Sequence, residues 1–151
     1  MIALVLSLMA ILSDGKQLPA PQDVEPIARA IAGVVESQPP LFHGKGGKDR
    51  TAALLVAIAW RESAFRLGAI GDHGASKCAM QIMGGSDDLL TNAAECVGQA
   101  YAQLAWSVRY CPDSPVAGYA GGPGACLREK PRKISADRMQ LAKWVLGKVA
   151  K

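Results

Sequence analysis

The sequence predicts a single, mostly α-helical domain. Apolar residues recur three and four positions apart in four stretches, which is the spacing of one buried face of a helix. Residues that favour helix starts precede these stretches, and Gly- and Pro-rich segments separate them. Only residues 42–48 and 66–80 leave room for short strands. We therefore expect, at most, a short β-hairpin beside the helices.

The composition is that of a globular protein with a sizeable core. Half of the 151 residues are hydrophobic and one in five is charged, which excludes disordered and repetitive chains. The net charge of +4 is uneven, because residues 127–151 hold eight Lys and Arg against two Asp and Glu. Such a basic end favours an anionic partner: nucleic acid, a membrane face or the acidic polymers of a cell wall. Solubility alone is the alternative explanation.

The N-terminal segment allows two interpretations. Its first twelve residues, MIALVLSLMAIL, are the only long apolar run, and they are too few to span a bilayer comfortably, so no stable membrane span is expected. Residues 1–20 are either a signal peptide, with Pro19-Ala20 near the cleavage point, or a helix packed on the domain. A signal peptide usually has a Lys or Arg before its apolar run, and none precedes this one. Residues 21–151 form the functional domain.

Capping residues and apolar spacing place four helices. The predicted limits are Asp23 to Val35, a start at Asp49, Asp87 or Asp88 to about Arg109, and a start at Ser135. The predicted core faces are Val24, Ile27, Ile31 and Val34; Leu55, Ile58 and Phe65; Leu90, Ala93, Val97, Tyr101, Leu104 and Val108; and Met139, Ala142, Val145 and Val149. Residues 111–132 are predicted to be rich in loops.

The cysteines predict disulfide bonds and no metal site. They are Cys78, Cys96, Cys111 and Cys126. None of the gaps between them is that of a zinc knuckle, and His43 and His73 lie at no ligand spacing. Of the three possible pairings, the sequential one is the cheapest to close, and a bridge over about 15 residues is worth roughly 3 kcal/mol. Bridges would place the chain outside the cytosol, secreted or periplasmic, whereas four buried thiols would suit a cytosolic protein.

Glu62 is the most informative single residue. It falls in the apolar stripe of its helix, four residues after Ile58 and three before Phe65. A carboxylate on a buried face is costly unless it is paired, neutralised or used. The alternative is a glutamate near a helix end that bends out to solvent. A Gly-rich turn and the apolar run Ala-Met-Gln-Ile-Met follow this helix.

Three stretches resemble the signature blocks of one enzyme superfamily. They are Glu62-Ser63-Ala64-Phe65, Ala79-Met80-Gln81-Ile82-Met83 and Tyr119-Ala120-Gly121-Gly122-Pro123-Gly124. In this order they are similar to the E-S-x-F, G-L-M-Q-I-M and A-Y-N-A-G-P-G motifs of the soluble lytic transglycosylase and goose-type lysozyme superfamily. The resemblance covers about residues 50–126.

The resemblance implies a lysozyme-like fold with Gly-rich active-site loops. It also implies cleavage of the β-1,4 bond between N-acetylmuramic acid and N-acetylglucosamine in peptidoglycan. By position, Glu62 resembles the catalytic acid/base, and Tyr119 resembles the tyrosine whose hydroxyl holds that carboxyl. Ser63 resembles the residue that touches the muramyl sugar, and Met80 and Gln81 resemble residues of the cleft wall.

Physical reasons accompany this resemblance. Cleaving a glycosidic bond requires an acid that keeps its proton near neutral pH, and apolar surroundings favour the uncharged form of a carboxyl. Leu55, Ile58 and Phe65 would supply an apolar wall for such an acid. Gly121 and Gly122 would let the backbone come close to a sugar. This chemistry requires no cofactor and no metal.

Asp72 separates two reaction subclasses. A transglycosylase needs one carboxyl, because the 6-hydroxyl of the substrate itself attacks, whereas an inverting hydrolase needs a second carboxylate to hold water. Asp72, in Gly71-Asp72-His73-Gly74, resembles the Gly-Asp of goose-type lysozymes. Its alternative role is that of a turn former, since Asp before Gly is common in turns. The sequence therefore favours a transglycosylase, with a muramidase as the alternative.

Three residues depart from the family pattern, and one further class stays open. Cys78 replaces a glycine, Ala120 an asparagine and Gly84 a proline of the motifs. We expect a monomer that acts on peptidoglycan glycan strands and does not bind nucleic acid, since stacking and helix-turn-helix patterns are missing. The alternative class is a non-catalytic wall-binding component of a secretion, conjugation or phage machine.

Overall fold

The protein is mostly helical, as the sequence predicts. The computed structural model describes residues 1–14 and 21–149, although not the side chains of residues 21 and 22, so Pro19-Ala20 lie outside the described residues. The helices are α1 (Ile2–Leu12), α2 (Pro21–Ser37), α3 (Gly47–Ser63), α4 (Ala93–Tyr110), α5 (Ala117–Gly121) and α6 (Glu129–Val149). The strands are β1 (Ile70–Gly71), β2 (Ser76–Lys77) and β3 (Ile82–Met83).

Helix α3 is the centre of the core. Every residue from 51 to 59 is buried, and α1, α2 and α6 pack around it. Four of these nine residues are alanines, which lets neighbouring helices come close without leaving voids. The Thr51 hydroxyl donates to the carbonyl of Gly47 (2.8 Å) and accepts from the N–H of Leu41 (2.9 Å), so it anchors the preceding loop.

The N-terminal segment is a helix packed on the domain in this structure. Val5, Leu8, Met9 and Leu12 of α1 are buried in the common core, while Leu6 on the opposite side is exposed. Among the described residues, none of the helices combines the length and the apolar character that a bilayer crossing requires.

Several predicted helix limits are wrong, each for a local reason. Asp23 and Asp49 lie in the first turns of α2 and α3 instead of capping them. Asp87 and Asp88 form a single 3-10 turn, and α4 begins later, after Asn92, whose side chain accepts from the N–H of Glu95 (3.0 Å). An aspartate near a helix start therefore does not identify which residue is the cap.

The last third of the chain is more ordered than predicted. Helix α6 begins at Glu129, and the buried Ser135 lies within it, where its hydroxyl accepts from the N–H of Val116 (2.9 Å). The predicted loop also contains α5 and a 3-10 turn at Ala125–Leu127. The predicted core faces of α2, α4 and α6 do point inward, with their central residues buried. Phe65 is buried as expected, but it follows the end of α3 and packs on Trp60.

A small antiparallel sheet with the order β1-β2-β3 lies after α3. Ile70 pairs with Lys77 and Gly71 with Ser76, and Ser76 in turn pairs with Met83. Residues 42–48 form no strand, and β3 lies just beyond the predicted window of 66–80. The sheet is short, and the groove described next begins at its edge.

Candidate active site

One groove collects most of the residues that the sequence singles out. It has a volume of about 650 Å³ and lies where the end of α3 meets the sheet, α4, α5 and α6. The predicted site residues that line it are Glu62, Asp72, Gln81, Tyr119, Gly121 and Gly122. They come from positions up to 60 residues apart in the chain.

Glu62 stands at the mouth of the groove because α3 ends directly behind it. Ala64 and Phe65 both take left-handed backbone conformations (φ 51° and 63°), which turn the chain away after Ser63. The Glu62 side chain is 26% exposed, so it is neither buried among the core residues of α3 nor extended into bulk solvent. Its Oε1 accepts a hydrogen bond from Nη2 of Arg138 (2.9 Å). The partner of this carboxylate is therefore a cation, where the sequence predicts an apolar wall.

A chain of charges extends from Glu62 to the surface. Arg138, on α6, also donates from Nη1 to Asp137 (2.6 Å), and Asp137 accepts from Arg61 (2.8 Å). Arg138 is only 16% exposed, while Arg61 and Asp137 are about 40% exposed. Among the residues that the structure describes, Nε of Arg138 is the only buried side-chain nitrogen or oxygen without a hydrogen-bond partner.

Tyr119 faces Glu62 without bonding to it. Its hydroxyl donates to the carbonyl of Met80, and its N–H donates to the Ser107 hydroxyl (3.1 Å), which fixes α5 against α4. Burial and then the nearby Glu62 carboxylate raise the pKa of Tyr119 well above its usual range, against the opposing effect of Arg138. The phenol therefore stays neutral. In this structure the Met80 carbonyl accepts the proton of the hydroxyl, and the predicted bond between Tyr119 and the Glu62 carboxyl stays a prediction.

Asp72 lies on the sheet side of the groove. It occupies the turn between β1 and β2, and Asp72, His73 and Gly74 all have positive φ (49°, 55° and 97°). Its Oδ2 accepts from the Ser76 hydroxyl (2.5 Å). The residue is thus a turn former, as the sequence favours, and a groove residue at the same time.

The second predicted block divides between groove and core. Gln81 lines the groove, and its Nε2 donates to the carbonyls of Cys78 (2.9 Å) and Ala69 (3.3 Å). A Cβ at Gly71 would lie 2.0 Å from Oε1 of Gln81, so a larger residue there would displace the Gln81 amide. The Met80 side chain, in contrast, is fully buried and contributes only its carbonyl near the site.

Ser63 does not reach the groove either. Its side chain is buried, and its hydroxyl donates to the carbonyl of Ala59 (3.1 Å) and accepts from the N–H of Arg66 (3.2 Å). The residue therefore closes the end of α3. The predicted contact between Ser63 and a sugar stays a prediction, and in this structure the hydroxyl is used within the end of α3.

The chain matches no protein-family model, no curated protein and no solved structure. The chemistry of the site must therefore be argued from its own residues.

The glycine pair forms the lower edge of the groove on the α5 side. A Cβ at Gly121 would lie 2.8 Å from the Pro131 side chain, and Gly122 has a positive φ of 70°. Arg128 donates to the carbonyl of Gly121 and holds this edge. No side chain projects from the edge, so backbone groups border the groove here.

Both disulfide bonds stand beside the groove, in the sequential pairing predicted as cheapest. Cys78–Cys96 ties the segment before Gln81 to α4, and Cys111–Cys126 closes the loop that carries α5. Cys78 has a left-handed backbone (φ 65°), a conformation that glycine adopts freely, and it stands where the similar motif has glycine. Its disulfide bond to Cys96 holds the backbone at this position.

Sequence reasoning missed Arg138 and Trp106. Arg138 is one of eight basic residues near the C-terminus, and nothing in the pattern distinguishes it from its solvent-exposed neighbours. Trp106 lines the groove from α4 and packs on Tyr110, with ring centroids 4.9 Å apart. Its type was a weak signal, because tryptophan is enriched where one side of the ring is apolar and the other is in contact with water.

Proposed function

We propose that this protein cleaves the β-1,4 bond between N-acetylmuramic acid and N-acetylglucosamine in peptidoglycan, with Glu62 as general acid and base. The observation that supports the proposal is the meeting of three distant stretches. Glu62, Gln81 and Tyr119 with its glycines resemble three motifs of one superfamily of lytic transglycosylases and lysozymes, and they line a single groove. Motif residues scattered over the surface would have removed this support.

The preferred reaction is that of a lytic transglycosylase. Glu62 gives its proton to the glycosidic oxygen, and the N-acetylglucosamine side leaves as an alcohol. The 6-hydroxyl of the muramyl residue then attacks its own C1, and Glu62 takes back a proton from that hydroxyl. The products are a 1,6-anhydromuramoyl end and a free 4-hydroxyl, with no water consumed. One carboxyl is sufficient for this sequence of proton transfers.

The rest of the groove suits a saccharide. Trp106 offers an aromatic face to a sugar ring, and the Gln81 amide offers polar atoms to its hydroxyls. The backbone edge at Gly121 and Gly122 allows close approach. Tyr119 is neutral, so it places no negative charge beside Glu62. Such a charge would make it harder for the Glu62 carboxyl to give its proton to the substrate.

A muramidase is the alternative within the same class. Asp72 lines the groove together with Glu62, and a hydrolase would use such a carboxylate to orient water. The hydrogen bond from the Ser76 hydroxyl fixes the orientation of the Asp72 carboxylate that this role needs. Hydrolysis would leave reducing ends in place of anhydro ends.

A wall-binding protein without activity is the alternative from another class. The ion pair between Glu62 and Arg138 is the observation that favours it, because a paired, charged carboxylate is a binding group as readily as an acid. In this reading the groove holds glycan strands, and the basic α6 contacts anionic wall polymers. The two disulfide bonds support a secreted or periplasmic location for either function.

Replacing Glu62 by Gln tests the enzymatic proposal. We expect the clearing of purified cell walls to slow by at least about 100-fold, because proton transfer by the acid is lost. Glu25→Gln is the matched control, since it removes the same charge from an exposed ion pair on α2. Circular dichroism would confirm that both variants fold.

Mass spectrometry of the released muropeptides identifies the subclass. Anhydro ends indicate a transglycosylase, and reducing ends indicate a hydrolase that uses Asp72. Equal clearing by the wild type and Glu62→Gln, or no clearing by either, would contradict the enzymatic proposal and leave the binding protein.

A further inference from the structure

Arg138 poses a chemical problem for an acid at position 62. The guanidinium donates to Glu62 over 2.9 Å, and both side chains are mostly shielded from water. Arg138 thereby occupies Oε1 of Glu62, an oxygen that a general acid must turn towards the glycosidic oxygen of the substrate. The observed pair is therefore a resting arrangement. A working arrangement needs Arg138 to bond elsewhere.

The surroundings of Arg138 show where a new partner could bind. The side chain lines the groove, and Asp137 holds its Nη1 in place from the side that leads to the surface. Its Nε is buried and has no partner, so the planar donor set of the guanidinium is incompletely used. A carboxylate can accept two parallel hydrogen bonds from one guanidinium. Glu62 accepts only one from Arg138, so a carboxylate that accepts two would bind Arg138 more tightly.

We propose that Arg138 is a positioning residue that exchanges Glu62 for a carboxylate of the substrate and thereby frees Glu62 to act as the acid. This inference rests on the proposed function. It gives the groove a preference for anionic glycans, in which the muramyl residue brings a carboxylate, over neutral polymers of N-acetylglucosamine. Two sources share this chemistry: the lactyl group of a muramyl residue without a peptide, and the peptide stem.

The charge balance of the groove supports the exchange. Its titratable and charged lining residues are Glu62, Asp72, Tyr119 and Arg138. Tyr119 stays neutral and Asp72 is bonded to Ser76, so Arg138 is the cation that the groove offers to a substrate anion. When a substrate anion takes its place on Arg138, Glu62 loses its cationic partner and its Oε1 is free to face the glycosidic oxygen.

The experiment compares three substrates and three proteins. The substrates are glycan oligomers with a free lactyl carboxylate, oligomers with a peptide stem, and neutral oligomers of N-acetylglucosamine; the proteins are wild type, Arg138→Gln and Arg138→Lys. We expect the ratio of kcat/KM for anionic over neutral oligomers to fall roughly 10- to 100-fold in Arg138→Gln. Arg138→Lys should restore part of that ratio. The anionic substrate that loses most identifies the source of the carboxylate.

Other results would overturn the inference. An equal loss on every substrate would show that Arg138 only supports the fold, and an equal gain would show that it only restrains Glu62. Binding provides a second readout that needs no turnover: calorimetry should show that amidation of the carboxylate weakens binding to wild type but not to Arg138→Gln. If wild type cuts no substrate, the proposed function fails, while this binding comparison still decides whether Arg138 recognises the carboxylate.

Discussion

Tyr119 illustrates how one buried hydroxyl links stability to pH. Its raised pKa means that the folded protein keeps the phenolic proton at pH values where an unfolded tyrosine, with a pKa of 10.0, releases it. The contribution to stability is complete below pH 10 and declines as the pH rises towards the folded pKa. A single such group lowers the free energy of unfolding by about 1.4 kcal/mol per pH unit in that window.

Tyr119→Phe should therefore flatten the alkaline decline in stability. At neutral pH the variant should lose about 1 kcal/mol, because the hydrogen bond to Met80 is gone. Urea unfolding between pH 8 and 11.5 measures both effects. Tyr110→Phe is the control, since it removes the same hydroxyl from an exposed ring. An unchanged slope in Tyr119→Phe would contradict this account of the buried phenol.

At the scale of the element, the end of α3 is strained. Ala64 adopts a left-handed conformation (φ 51°) that costs an alanine roughly 1 kcal/mol and a glycine almost nothing. The strain persists because the turn places Glu62 at the groove and Phe65 in the core. Helices commonly end on a glycine in this position.

Ala64→Gly should raise the free energy of unfolding by about 0.5–1 kcal/mol, because it relieves that strain. Ala102→Gly is the matched control: it makes the same chemical change at an exposed position inside α4, where glycine should lower stability by about 1 kcal/mol. Chemical denaturation of the two variants should give shifts of opposite sign. Two losses of similar size would mean that the turn after α3 is not strained.

The element scale also shows what the sequence predicts well. The apolar spacing of α4 and α6 identifies their buried faces, because periodicity reports burial directly. The predicted starts of these two helices are wrong, because Asp87, Asp88 and Ser135 are residue types that often cap helices. The residue that caps α4 is Asn92. The sheet has strands of two residues, which are too short to leave an alternating pattern.

At the scale of the whole molecule, α1 joins the core that surrounds α3. Leu8 is fully buried and Leu6, two residues earlier, is 41% exposed. Leu8→Ala should lower the free energy of unfolding by about 3 kcal/mol, because it leaves a cavity between packed helices. Leu6→Ala, with identical chemistry on the outer face, should change it by less than about 0.5 kcal/mol. Thermal unfolding of the full chain measures the melting temperatures of both variants. Equal shifts would show that α1 is not part of the core.

The groove could be foreseen only in part. Resemblance and residue chemistry pointed to Glu62, Gln81, Asp72 and Tyr119, and chain folding brings all four to one place. Arg138 could not be foreseen, because an ion pair across 76 residues depends on how α6 crosses the end of α3. The buried side chains of Ser63 and Met80 show the converse case, since the resemblance places both at the groove while the fold packs their side chains in the interior.

The Cys111–Cys126 bridge encloses a segment that depends on its neighbours for its structure. It surrounds α5, a helix of five residues that is too short to be stable alone and that leans on α4, α6 and the turn beside it. The core around α3, in contrast, is shielded on several sides. We therefore expect this enclosed segment to open locally before the helices around α3 unfold. The groove would then lose its shape while the core is still folded, and the closed bridge would keep the segment beside α4.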